Sequence, residues 1–242
     1  MNYVIIIAGG VGSRFGSPVP KQFVEVLGKP VIAYTMEHFQ NHADIDAIEL
    51  VCVDGYQNHL KGIVDKFGIT KVFKIVTGGS DYEHSIMNGV VGLKDIAKYD
   101  DVVMIHWAAS PFISEEMITD NINVCKEKGN AISASHSYLL YGSNDGDCAK
   151  TAINRESFMT LSAPQSFKYG VIIDIYKQVE EKKIFDYMDE AHTTVFMAEL
   201  GIPIYFSKGS HANIKITTKE DLELFLGIQL ARQYNFELKG DK

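Results

Sequence analysis

Tyr3-Val-Ile-Ile-Ile-Ala-Gly-Gly-Val-Gly-Ser-Arg-Phe-Gly16, followed at once by Pro18-Val-Pro-Lys-Gln-Phe23, is the stretch that decides the fold. Val4 to Ala8 are apolar, mostly β-branched and without alternation, the pattern of a strand buried on both faces of a parallel sheet. The strand runs into Gly9, Gly10, Gly12 and Gly16. Glycine lets successive backbone N–H groups turn outward and approach a ligand, and N–H groups that point one way bind anions. Arg14 and Lys21 add two positive charges on either side of that nest, and a polyphosphate is its natural guest.

Spacing separates this loop from other glycine-rich loops. A P-loop ends in Gly-Lys-Ser/Thr, which the stretch lacks. In the dinucleotide fingerprint Gly-x-Gly-x-x-Gly the third glycine would come one residue before Gly16. An ordinary tight turn after a buried strand is the plain alternative, and Arg14 with Pro20-Lys21-Gln22 in the same loop argues against it.

The rest of the chain alternates strand and helix patterns. Helical spacing covers Pro30 to Gln40, Gln57 to Phe67, Glu83 to Ile96, Ser114 to Lys128 with Ser114 as N-cap, Tyr169 to Glu181, and Glu190 to Leu200. Strands are expected at Ala47–Val53, Val72–Val76, Asp101–His106, Ala131–Ser135 and Ile202–Lys208. A second glycine corner, Gly78-Gly79, opens the helix at Glu83, where Ser80 and Ser85 fit either capping or contact with a nucleotide phosphate. The alternation of Asn213-Ile-Lys215-Ile-Thr217 puts Asn213, Lys215 and Thr217 on one face, and Thr218-Lys-Glu-Asp221 has the form of a capping box for a last helix to about Gln233. Turn residues between short apolar runs at 136–161 suggest a hairpin. The fold class is therefore α/β: one domain over 1–242, with a three-layer, Rossmann-like, mostly parallel sheet and helices on both faces. Its ligand site belongs outside the carboxyl ends of the strands, near His106-Trp107-Ala-Ala-Ser110-Pro111.

Composition narrows the partners. The 242 residues carry a net charge of −8 and no basic run longer than Lys182-Lys183, which argues against a nucleic-acid surface. No apolar run approaches the roughly 18 residues of a membrane span, and the start lacks a basic leader, so the expectation is a cytoplasmic protein off the membrane. Cys52, Cys125 and Cys148 show no paired spacing, which argues against disulfides and zinc, and Cys52 fits a core strand.

Ala8-Gly-Gly-x-Gly-x-Arg14-x-Gly16 with Pro20-Lys-Gln-Phe23 resembles the cytidylyltransferases that make CDP-activated alcohols, the family of 4-diphosphocytidyl-2-C-methylerythritol synthase and ribitol-5-phosphate cytidylyltransferase. The likeness continues through Gly78-Gly-Ser-Asp81, Ser85-Ile-Met-Asn88, Pro164-Gln-Ser-Phe167, Asp189-Glu-Ala191 and Asn213-Ile-Lys-Ile-Thr217, and so covers nearly the whole chain in order. It implies transfer of CMP from CTP, with magnesium on the triphosphate, to a phosphorylated polyol, sugar or related alcohol. By the same resemblance Arg14, Lys21 and Lys215 are the catalytic cations, and Ala8, Gly9, Gly10, Gly12, Ser13, Gly78, Gly79 and Ser85 hold the nucleotide. Trp107, Ser110, Arg155 and Asp189 fall on the acceptor side. The resemblance also implies a homodimer, in which an arm near 136–161 lends a basic residue to the neighbouring site. Arg155 is the candidate for it, although the residues alone fit a solvated hairpin with an ordinary arginine. Lys215 taken alone likewise fits an exposed strand lysine.

The departures from the family pattern cluster on the acceptor side. Where the family reads His-Asp-Ala-x-Arg-Pro, its aspartate is Trp107 here and its arginine Ser110. The arginine usual after the second glycine corner is Tyr82, the threonine before Pro-Gln is Ala163, and Met188 precedes Asp189. Three further readings follow: a nucleotide-binding homologue without turnover, in which Asp81 and Asp189 are the remaining metal partners; a phosphonate acceptor; and an amine-bearing acceptor drawn to the tryptophan face. A dinucleotide-dependent oxidoreductase would need an acidic residue about 20 positions after the glycines, where Glu25 is too early, Glu37 falls in a helix and not at the end of the second strand, and Asp54 is too late.

Overall fold

Successive residues of β1 (Asn2–Ala8) face opposite layers: Val4, Ile6 and Ala8 enter one core, and Tyr3, Ile5 and Ile7 the other. That division explains the unbroken apolar run. Every residue of the strand is buried, so neither face needs a polar side chain. The structure is a computed structural model and describes residues 1–10, 16, 19–188 and 191–234.

β1 lies inside a seven-stranded sheet with β4 (Ala47–Cys52), β5 (Val72–Thr77), β6 (Val102–Trp107), β7 (Asn130–His136), β10 (Met159–Lys168) and β11 (Phe206–Lys208), in the order β11-β7-β10-β6-β1-β4-β5. All pairings are parallel except those of β10, which runs antiparallel to both β6 and β7. Helices α1 (Val31–Asn41), α2 (Gln57–Lys66) and α4 (Glu115–Lys128) cover one face, through residues such as Phe39, Leu60 and Ile118. Helices α3 (Tyr82–Gly92), α5 (Tyr169–Glu181) and α6 (Thr193–Glu199) cover the other, with Ile86, Ile175 and Phe196. α7 (Lys219–Gln233) closes one end, where Phe225 packs edge-on against Tyr34 and Phe112. No helix among the described residues is long and apolar enough to cross a membrane.

Local signals explain most boundaries. Ser114 caps α4 by accepting the Met117 N–H, and Thr218 with Asp221 forms a full capping box at α7. Cys52 and Cys125 are buried, as a core role requires.

Several expectations need correction. The hairpin expected over 136–161 gives up its end to β10, whose first residue is Met159. Pro164 hides that strand, because proline lacks an N–H for the ladder; it stands where the β10–β7 register shifts between Ser162 and Gln165. The remaining arm carries only short strands, β8 (Tyr141–Gly142) paired with β9 (Ala152–Ile153). The strand expected over Ile202–Lys208 shortens to Phe206–Lys208, and α6 begins at Thr193. A small hairpin of β2 (Glu25–Val26) and β3 (Lys29–Pro30) precedes α1. Asn213–Thr217 is irregular, with Asn213 and Ile216 buried and Lys215 exposed, so Asn213 and Lys215 do not share a face.

Candidate active site

The carboxyl ends of β1, β4 and β6 meet at one edge of the sheet. Backbone bonds extend the ladders past the strands: Val53 N–H donates to the Ala8 carbonyl (3.0 Å), Gly78 N–H to Cys52 (2.7 Å) and Ala108 N–H to Ile7 (3.0 Å). They bring Gly9, Gly78 and Trp107 together where chain order reverses across the sheet, the usual ligand crevice of such folds.

The two glycine corners touch. A β-carbon on Gly9 would stand 2.7 Å from Ser85 Oγ, and one on Gly78 only 3.1 Å from the Gly9 α-carbon. Ser85 is buried beneath them, donating to the Asp81 carbonyl (2.7 Å) and accepting the Gly79 N–H (3.0 Å). Its hydroxyl therefore supports the corner from below.

Gln22 has a function that its motif left unassigned. It is buried, and its side-chain amide donates to the carbonyls of Ala8 (2.8 Å) and Gly10 (3.0 Å). Holding those carbonyls on the protein side frees the outer side of the loop for N–H groups and an anion. The signal was present in Pro20-Lys-Gln-Phe23, but it named no contact. Lys21 opens the 3-10 turn Lys21–Phe23 and lies near the start of α7. Burial alone would raise the Asp221 carboxyl there. The N–H groups of Thr218 and Thr217, the Thr218 hydroxyl and the Lys21 charge together hold it below its ordinary value.

Lys215 reaches the same edge on an irregular segment that is fastened at both sides. Asn213 donates its amide to the Ala163 carbonyl (2.7 Å), and Ile216 N–H donates to Ala109 (2.8 Å). The Lys215 ammonium lies 4.6 Å from the Trp107 ring centre and 5.3 Å from that of Tyr82. Trp107 in turn donates its indole N–H to the Tyr82 hydroxyl at 2.6 Å. Two positions that depart from the family pattern are thus direct partners. The cation drawn to the tryptophan face is the chain's own lysine, which removes the reason for expecting an amine-bearing acceptor.

Ser110 is corrected as an acceptor contact. It is 1% exposed, its carbonyl accepts from His106 Nε2 (3.0 Å), and its N–H donates to the Trp107 carbonyl (3.1 Å). It shapes the turn after β6 with its hydroxyl sealed inside. Burial pushes the His106 imidazole down to about 4, so the ring is neutral. Arg155 lies exposed on the arm, where its guanidinium donates to the Tyr138 carbonyl (3.3 Å) and pairs with Glu156 (3.4 Å). Arg14, Gly12, Ser13 and Asp189 lie outside the described residues.

Parallel strands whose carboxyl edge carries paired glycine corners, with Lys215 held beside Trp107, form an α/β fold of the nucleotidyltransferase type. The family described as "IspD: 2-C-methyl-D-erythritol 4-phosphate cytidylyltransferase" matches residues 2–228, and the chain belongs to it. It is 39% identical over 222 residues to ribitol-5-phosphate cytidylyltransferase of Lacticaseibacillus paracasei, covering 91% of this chain and 94% of the relative. It is 36% identical over 226 residues to 2-C-methyl-D-erythritol 4-phosphate cytidylyltransferase of Clostridium botulinum strain Langeland, covering 92% and 95%. A solved 4-diphosphocytidyl-2C-methyl-D-erythritol synthase from Anaerococcus prevotii superposes with a TM-score of 0.77 at 26% identity, over 95% of this chain and 96% of that one. The family is one of CTP-dependent nucleotidyltransferases, and the oxidoreductase reading is left without support.

Enzymes of this family generally use a divalent metal. Among the described residues no group of three or more His, Cys, Asp or Glu side chains could hold one. Asp81 is otherwise engaged: one oxygen accepts the His84 N–H, and the other faces Ser80 Oγ and His84 Nδ1. Asp189, the other acidic candidate, lies outside the described residues.

Proposed function

We propose that this chain transfers CMP from CTP to a phosphorylated polyol of the ribitol-5-phosphate kind, releasing pyrophosphate. An oxygen of the acceptor phosphate forms a bond to the α-phosphorus of CTP, and the bond from that phosphorus to the β-phosphate bridging oxygen breaks. Atoms and charge balance without an acid or a nucleophile from the protein. The protein aligns two anions and offsets the negative charge that builds up as they meet.

The observation that carries the reading is the convergence, at one sheet edge, of the Gly9 and Gly78 corners with the segment that bears Lys215. In this reading the triphosphate lies along Ala8–Gly10 and Lys21, with Arg14, Gly12 and Ser13 completing the loop. Lys215 stands between the α-phosphate and the acceptor phosphate. Magnesium would arrive on the phosphate oxygens of CTP, a common mode for that ion. Relatives named for ribitol 5-phosphate point to a pentitol phosphate as acceptor.

The active form in this reading is a homodimer in the cytoplasm. Its support is the arm, which exposes Tyr138, Leu139, Leu140, Ile153 and Phe158 in and around the short β8–β9 hairpin. Arg155 lies among them and would enter the neighbouring site.

A pyrophosphate-release assay with CTP, magnesium and a panel of phosphorylated polyols, sugars and phosphonates tests the function. Turnover with a polyol phosphate is the expected result. Saturable CTP binding without turnover on any acceptor would overturn it.

A further inference from the structure

We propose that Trp107 and Tyr82 are positioning residues, an aromatic cradle that fixes the Lys215 ammonium for the acceptor phosphate. The inference rests on the proposed cytidylyl transfer and adds to it the way in which the acceptor-side charge is held.

Three independent elements build the cradle. Trp107 ends β6, Tyr82 begins α3, and Lys215 arrives on the segment tied to Ala109 by the Ile216 N–H. The indole N–H to Tyr82 hydroxyl bond of 2.6 Å sets the two rings relative to each other. The Tyr82 ring also rests on His192, with ring centres 5.4 Å apart, so its plane is held from a second side. Both ring centres lie within the roughly 6 Å over which a ring quadrupole attracts an ammonium, Trp107 the nearer at 4.6 Å.

The choice of aromatic groups has a consequence for the reaction. A carboxylate at residue 107 would also attract Lys215, but it would cancel its charge and repel the incoming phosphate. Neutral ring faces orient the cation without placing a negative charge beside the incoming phosphate. The pair also makes chemical sense only as a pair: without Tyr82 the indole N–H loses its partner, and without Trp107 the phenol loses the donor that orients it.

Trp107 is the only tryptophan, so its emission reports the cradle without any substrate. Lys215→Met keeps the length of the side chain and removes its charge, and should change the emission intensity or maximum of the free protein. In turnover with CTP and the best acceptor, Trp107→Leu should lower kcat by about 10-fold or more with KM for CTP little changed, whereas Trp107→Phe, which keeps a ring face, should stay within about 3-fold. In a Lys215→Ala background Trp107→Leu should add less than about 2-fold, because a residue that acts through Lys215 has nothing left to act on. Emission indifferent to Lys215→Met, or an equal loss from Trp107→Leu in both backgrounds, would overturn the cradle. A wild-type protein inactive with every acceptor would overturn the proposed function instead, and the emission experiment would still decide the cradle.

Discussion

Gly78 packs against Gly9 so closely that a single added methyl group would stand 3.1 Å from the Gly9 α-carbon and 3.1 Å from Ser85 Oγ. The first glycine corner and the second are therefore one structure, assembled from loops that follow β1 and β5. Gly78→Ala should push them apart. It is expected to destabilise the fold by about 1–3 kcal/mol, and to weaken CTP binding beyond that loss because the N–H groups move. Chemical denaturation beside nucleotide titration checks both. Wild-type affinity in a folded Gly78→Ala protein would show that the contact does not shape the nucleotide loop.

Gln22 and Lys21 are neighbours in sequence with different tasks. Gln22→Glu removes the two N–H bonds to Ala8 and Gly10 and sets a carboxylate against their carbonyls. The expected effect is a fall in kcat/KM for CTP of about 10- to 100-fold, from a disordered loop and added negative charge. Lys21→Ala, which leaves the loop intact, should lower kcat itself by at least about 100-fold, on the order of 3 kcal/mol of charge stabilisation. Steady-state kinetics of both variants separates the two. Near-normal turnover of Lys21→Ala would remove its assigned role.

Arg155 and Lys21 should belong to one functional site drawn from two chains. A protein carrying Arg155→Ala, mixed with one carrying Lys21→Ala, would then regain part of the activity in hybrid dimers. Each hybrid holds one site with both residues intact. Sedimentation gives the oligomeric state, and labelled subunits show exchange. A monomer, or exchange without recovery, would leave Arg155 as an ordinary residue of the arm.

What the sequence made readable was what acts locally. The unbroken apolar run of β1, the Ser114 cap and the Thr218–Asp221 box each depend on residues within one or two turns of one another, and each is in place. β10 escaped because Pro164 argues against a strand, and only the register shift that absorbs it makes the strand compatible with proline. The cradle was out of reach for another reason. Tyr82 and Trp107 are 25 residues apart and Lys215 lies far beyond both, so only the sheet order brings them together. The resemblance to the family pattern marked Tyr82 and Trp107 as departures, but their pairing is a tertiary fact. Ser110 misled because its position in the motif gave no sign that the side chain turns inward.

Glu83, next to Tyr82, gives a prediction about stability rather than turnover. It is 1% exposed, and one carboxyl oxygen accepts from the hydroxyls of Thr193 (2.6 Å) and Tyr176 (2.8 Å), while Oε2 has no hydrogen-bond partner among the described residues. Burial raises the carboxyl to about 7, and the two hydroxyls draw it back only in part. The unfolded chain loses this proton near 4.5, whereas the folded chain keeps it until about 7. Between those values the folded state binds more protons, so stability falls as pH rises, and above about 7 the whole loss, on the order of 3 kcal/mol, has been taken. Glu83→Gln keeps the accepting oxygen and cannot ionise. It should match the wild type near pH 4 and exceed it at pH 8 by about 1–3 kcal/mol. Glu49, raised to about 7, and His106, lowered to about 4, contribute slopes of opposite sign over this range, but both stay in the variant and cancel in the difference between the two proteins. Urea unfolding at intervals from pH 4 to pH 8 measures the difference. Parallel curves for the two proteins would mean that Glu83 ionises in the folded chain as readily as in the unfolded one.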